Sequence, residues 1–145
     1  MIEIETIALR DDPLLIERLA REHDRADRAA ARVLGAVAHY YRLSPAALTG
    51  RGRTGEVAEA RQMVMYLMRQ GIRWAMACRD ADGAFHLAME PYPYEQIAHH
   101  LGRDHSTVMH GWRVIARRRR ACKDVAYTVR ALIAELSRPS RRTAA

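Results

Sequence analysis

The chain has 145 residues, 49% of them apolar, with 24 arginines and lysines against 17 acids, a net charge of +7 and a pI near 10.1. That is enough apolar material for the core of one domain, which excludes a wholly disordered chain, and the basic balance points to nucleic acid before an acidic membrane surface. Two isolated cysteines, Cys78 and Cys122, with no CxxC, no apolar run of membrane-spanning length and no signal-peptide pattern exclude a disulfide scaffold and a membrane protein, and predict idle thiols in a reducing cytoplasm.

Residues 1–11 read as a short extended lead. Asp12 and Pro13 form an N-cap and N1 pair, and a helical pattern runs from there to about Arg42, with an apolar stripe at Leu15, Leu19, Val33, Leu34 and Val37. Between these, REHDRADRAAAR is charged and alanine-rich, so this half of the helix is expected to project from the domain or to pack against a partner. Residues 1–32 carry six arginines and eight acids, net −2, and read as an acidic helical extension. Ser44 and Pro45 open a short helix that Gly50 ends, and Arg51-Gly52-Arg53 is a basic loop. Thr54 is the expected cap of a long helix with Val57, Val64, Leu67, Met68 and Ile72 on one face. Asp80 to Gly83 is a turn, and residues 84–93 look irregular or briefly extended. Helices are expected at about 94–101, 105–119 and 123–136, with a disordered basic tail over 138–145. There is no internal repeat, and little of the chain alternates with a strand period, so the fold class is all-α: a helical bundle with a long N-terminal helix.

The segment IAHHLGRDHSTVMHGWRVI, residues 97–115, reads as a helix, a tight turn at Gly102 and a second helix whose start carries Asp104, His105, Ser106 and Thr107. A helix-turn-helix presents such a start to the major groove. Four arginines follow at 117–120, and residues 101–145 carry eleven basic and three acidic residues, net +8. Lys123 is the only lysine; the arginine fork suits phosphates and guanine edges. A genome that favours arginine codons explains the choice of arginine but not its clustering. Val108, Trp112 and Ile115 share an inward face, leaving Ser106, Thr107, His110, Gly111 and Arg113 outward. Glycine in mid-helix costs about 1 kcal/mol against alanine, so Gly111 is read as a close approach to the groove wall. Asp104 can accept from cytosine N4, His105 can donate to guanine, and the Thr107 methyl can pack on that of thymine. Asp104 and Ser106 are equally ordinary helix caps. His99, His100, His105 and His110 match no zinc spacing, and four consecutive arginines wrap round a helix, so about two face DNA together.

Two stretches carry a family resemblance. VAHYYRLSPAALTGRGRTGEVAEARQMVMYLMRQ (37–70) and LGRDHSTVMHGWRVI (101–115), with the closing helix around 124–136, resemble the C-terminal DNA-binding domain of the bacterial replication initiator DnaA, domain IV, whose fold is Trp-repressor-like. The likeness spans about 100 residues and places the DNA-binding domain at 33–137. It implies that Arg53 enters the minor groove, that residues 104–107 read the major groove, and that Gly111 touches a thymine methyl. It implies phosphate contacts from Arg61 and Gln62, helped by Arg103, His110, Arg113 and Arg117. Gly52 stands where the family has a basic residue and is expected to loosen the minor-groove arm; Ser106 replaces threonine and loses a methyl. GIRWAMACRDADGAFHLAMEP (71–91) is longer than the family's linker and is expected to lengthen the central helix and add a loop near the DNA face.

No GxxxxGK[ST] occurs, so the initiator's ATP cradle is not within these residues. The expectation is a non-enzymatic, cytoplasmic, nucleoid-bound protein that takes double-stranded DNA and no ATP, metal, cofactor or membrane. A transcription activator is favoured, since free-standing domains of this kind occur in prophage-like clusters and in activators of gene transfer agents; RNA polymerase or a sigma-factor-like protein would dock on the N-terminal helix. The alternatives are a replication factor at initiator-type sites and a non-specific nucleoid protein.

Overall fold

The computed structural model describes residues 12–139. The extended lead and nearly all of the basic tail expected from the sequence lie outside the described residues. Within them, six helices and one β-hairpin surround a single core.

Helix α1 (Pro13–Tyr41) begins as expected: Asp12 Oδ1 accepts from the Leu15 amide at 3.1 Å, with proline at the first helical position. It ends on Arg42, which takes the left-handed conformation (φ 55°) while the Leu43 amide reaches back to Ala38 O at 2.8 Å. Its buried stripe continues Val33 and Val37 back through Ala30 and Ala26, at helical spacing. The charged middle of α1 therefore does not project as expected. Its inner side is buried, and the helix runs unbroken through residue 32. The expected acidity is also displaced: residues 12–32 hold five acids and five arginines, so the excess belongs to residues 1–11.

Helix α2 (Pro45–Thr49) is one short turn capped by Ser44, whose Oγ accepts from the Ala47 amide at 3.2 Å. Helix α3 (Gly55–Gly71) is central, with residues 60, 61 and 63–68 buried; Thr54 holds the cap position, but its side chain makes no cap bond. α3 does not extend into the 71–91 segment. Ile72 turns into extended backbone (φ −104°, ψ 132°), and strands β1 (Arg73–Arg79) and β2 (Phe85–Pro91) form an antiparallel hairpin, with Ala75 opposite Met89. The turn at 80–83 is the one expected, with Asp80 Oδ1 accepting from the Asp82 and Ala84 amides and Gly83 at φ 80°.

The hairpin packs chiefly on α1. The His23 ring lies flat on Trp74, centroids 3.7 Å apart, and its Nε2 bonds Ala75 O at 2.8 Å. At its foot, the Tyr92 amide donates to Ile72 O at 3.0 Å, so the residues flanking the hairpin meet. The buried Tyr92 hydroxyl gives its one hydrogen to Asp27 Oδ1 (2.9 Å) and so accepts from His100 Nε2 (2.8 Å). Burial, with Asp27 adding to it, pushes the Tyr92 phenol above its ordinary range.

Helices α4 (Tyr94–Leu101), α5 (His105–Ala121) and α6 (Lys123–Leu136) follow within two residues of the expected bounds. Ile97, Leu101, Val108 and Ile115 are fully buried, and α5 lies mainly against α3. The architecture is the expected all-α helix-turn-helix bundle with a long first helix, plus a two-stranded hairpin: β2 falls within the stretch read as irregular or briefly extended, and β1 stands where a longer central helix was expected.

Candidate nucleic-acid interface

Gly102 stops α4 in the left-handed conformation (φ 62°), and the Arg103 amide bonds Ala98 O at 3.0 Å. This closes the last turn of α4 and lets the chain reverse into α5. At the start of α5, Asp104, His105, Ser106 and Thr107 are all exposed. Asp104 occupies the N-cap position with extended backbone, but its side chain makes no cap hydrogen bond. Its carboxylate is therefore unspent, beside helix amides that favour an anion or an acceptor edge. His110, Arg113 and Arg117 are exposed further along α5 and, with Trp112, Ala116 and Arg120, line a shallow cleft without a carboxylate. Such a lining accommodates an anion. Trp112 is half-buried, with its Nε1–H buried and meeting no acceptor among the described residues.

The arginine run divides. Arg118 Nη1 pairs with Glu59 Oε1 at 3.0 Å, and Arg119 Nη1 donates to the Tyr66 hydroxyl at 2.6 Å, tying α5 to α3. Arg117 and Arg120 have no such partner among the described residues. Glu59 also accepts from the Tyr41 hydroxyl at 3.0 Å. Burial first, and then this bond, raise the Tyr41 phenol.

Gly111, Gln62, Arg61 and Arg103 stand elsewhere than expected. Gly111 is buried: a Cβ there would overlap Met65 Sδ and come within 3.3 Å of Gln62 Cγ. The close approach that asks for glycine is that of α5 to α3, not to a groove wall, and Gln62 is half-buried at the same seam.

Arg61, expected on a phosphate, is 6% exposed and turned inward. Its Nε donates to Leu48 O (2.8 Å), Nη1 to Gly52 O (2.5 Å), and Nη2 to Ala47 O (3.0 Å) and Gly50 O (2.7 Å). Arg103, also expected on a phosphate, is half-buried and donates to the same Gly50 carbonyl and to Gly102 O at 3.2 Å. Desolvation, and then the neighbouring Arg103 charge, lower the Arg61 pKa. Gly52, expected to loosen the arm, is held through its carbonyl, and Arg53 is exposed one residue beyond it, with no partner among the described residues. The one signal in the sequence for this was an arginine among the apolar residues of α3. Arg120 in the cleft went unnoticed because a run of four does not reveal which two are taken.

Residues 30–77 match the family of the bacterial dnaA protein helix-turn-helix. The DnaA-type match covers the second half of α1, α2, the basic loop and α3, and ends inside β1. It supports DNA binding, with double-stranded DNA as the partner. Helices α4 and α5 lie beyond the matched residues; for them the resemblance to the DnaA domain stands on the 101–115 motif alone. No curated protein matches the chain. No helix among the described residues is long and apolar enough to cross a membrane.

Proposed function

We propose that this protein is a sequence-specific, non-enzymatic DNA-binding transcription regulator, which reads the major groove with residues 104–107 and the minor groove with Arg53. The observation that carries this reading is the exposed, uncapped start of α5, held by a buried α4–α5 pair beside the anchored basic loop. His110, Arg113, Arg117 and Arg120 supply phosphate contacts that add affinity and salt dependence, while base edges carry the choice of sequence. Activation through RNA polymerase or a sigma-factor-like protein is the finer part of the proposal. Its support is narrower, because α1 over residues 12–32 is charge-balanced and an acidic docking surface would have to include residues 1–11.

Selection from a random duplex pool tests the reading. A preferred site is expected, and His105→Ala or Thr107→Ala should cost about 1–3 kcal/mol on that site and little on scrambled DNA. Equal affinity for selected and scrambled duplexes overturns it and leaves non-specific binding. A genome-wide occupancy map separates promoters from an origin.

A further inference from the structure

We propose that Arg61 and Arg103 are positioning residues that fix the distance between the minor-groove arm and the reading helix, so that the protein accepts only one spacing of the two DNA elements. The inference rests on the DNA-reading function above.

Helix α2 has only five residues. A five-residue helix leaves its last carbonyls without intrahelical donors, and the loop after it, Gly50-Arg51-Gly52, has little side-chain bulk to pack. Left alone, such a loop would sample many conformations, and Arg53 with it. Arg61 supplies the missing donors. Four of the five N–H groups of its guanidinium reach the carbonyls of Ala47, Leu48, Gly50 and Gly52. The fork is rigid, so the carbonyls are fixed relative to one another and to α3, from which Arg61 projects. Arg103 adds the second half. It sits in the turn between α4 and α5 and donates to the same Gly50 carbonyl. One carbonyl oxygen thus joins the arm to the turn that launches the reading helix.

The arrangement is costly for mere packing. Two guanidinium groups converge with no carboxylate in ion-pair distance among the described residues, and Arg61 is 6% exposed. An apolar side chain could fill the space beneath the loop without burying a charge. Only the fork fixes four carbonyls at once. Arg51, Gly52 and Arg53, by contrast, are exposed, so what the tie holds in place is a solvent-facing arm.

The test uses the full chain and the duplex recovered by selection, plus a duplex with one base pair inserted between the two contacted segments. The insertion moves one element by about 3.4 Å along the axis and turns it by about 35°. The native protein is expected to lose about 10- to 100-fold in affinity on the inserted duplex, the scale of one or more lost base contacts. Arg53→Ala, which has no arm to place, is expected to bind both duplexes alike.

Arg61→Lys and Arg103→Lys keep the charge and lose the fork. Each is expected to bind the natural site more weakly and to show an insertion penalty reduced at least threefold, with an unchanged salt slope. A penalty equal to the native one overturns the inference. So does Arg103→Ala, which removes the charge, if its salt slope falls by about 1 and it binds both duplexes uniformly more weakly, the signature of a lost phosphate contact. Thermal unfolding monitors the fold. If Arg61→Lys does not fold, the two Arg103 variants, at a half-buried position, decide alone. Failure to recover any preferred duplex refutes the DNA-reading function and this inference with it, whereas an unchanged penalty refutes only the inference.

Discussion

Gly111→Ala is the sharpest probe of how the reading helix is seated. Two effects oppose each other. Replacing a mid-helix glycine with alanine favours the helix by about 1 kcal/mol. The new methyl, however, would overlap Met65 Sδ and stand 3.3 Å from Gln62 Cγ. Met65 is 2% exposed, so its thioether has no solvent to move into and must repack within the α3–α5 seam. Overpacking of this kind costs about 1–3 kcal/mol. The expected balance is a net loss of about 1 kcal/mol, or roughly 3 °C in Tm for a chain of this size. Urea unfolding followed by far-ultraviolet circular dichroism measures it. In a Met65→Ala background the overlap disappears, and the same Gly111→Ala change should reverse sign and stabilise by about 1 kcal/mol. The sign reversal is the decisive feature, because neither helix propensity nor DNA contact produces it. If Gly111→Ala stabilises the native protein, or leaves its stability alone while weakening DNA binding, α5 does not bury this face and the seating described above is wrong.

Asp104→Ala should leave Tm within about 1 °C, because no cap bond is lost, while discrimination at one base pair falls by about 1–3 kcal/mol in competition binding. Ser44→Ala, where the side chain does cap its helix, is the contrast, with about 1 kcal/mol of stability lost. A further test is acidification. Burial lowers His100 below its ordinary value of 6.5, Asp27 pulls it back and the neighbouring His99 lowers it further. A histidine depressed in the folded state contributes stability while both states are neutral, and that contribution is lost as pH falls below 6.5. Urea midpoints at about pH 7.5 and about pH 5.5 should therefore show a loss on acidification that His100→Gln reduces; an identical loss in the variant removes His100 as the cause.

The helix-turn-helix was legible because its determinants are local. Gly102 supplies the left-handed stop, and Ile97, Leu101, Val108 and Ile115 keep helical spacing across it. The turn at 80–83 was legible for the same reason, since an aspartate and a glycine specify it within a few residues. Of the strands on either side of it, β2 lies in the stretch read as irregular or briefly extended, while β1 was not legible. Along β1 the order of burial, from exposed Arg73 through half-buried Trp74 to buried Ala75, does not alternate cleanly. What orders the hairpin is its contact with α1, where Trp74 meets His23 about fifty residues away in sequence, and no window of the sequence brings them together. Arg61 and Gly111 were misdirected for different reasons. The family resemblance put Arg61 on a phosphate, and an isolated glycine on a reading helix suggests a groove. Only the packing of α3 reveals that the partners are the carbonyls of 47–52 and the thioether of Met65.

The hairpin also shows how the long segment between α3 and α4 keeps those two helices in a fixed relation. A flexible segment there would let α4 shift against α3, and α5 with it. Here the two ends are clamped at the foot, where the Tyr92 amide bonds Ile72 O. Arg69, near the end of α3, donates to Tyr92 O at 3.0 Å, and its guanidinium lies 4.1 Å over the ring of Tyr94, the first residue of α4. Tyr92 in turn reaches Asp27 on α1 and His100 on α4 through one hydroxyl. The hairpin therefore packs on α1 while the junction from α3 into α4 keeps a fixed geometry. The start of α5 at residues 104–107 takes its position from that junction and from the Gly50 tie at the other end of α3, so the residues proposed to choose the DNA sequence are held from both sides while the hairpin packs on α1.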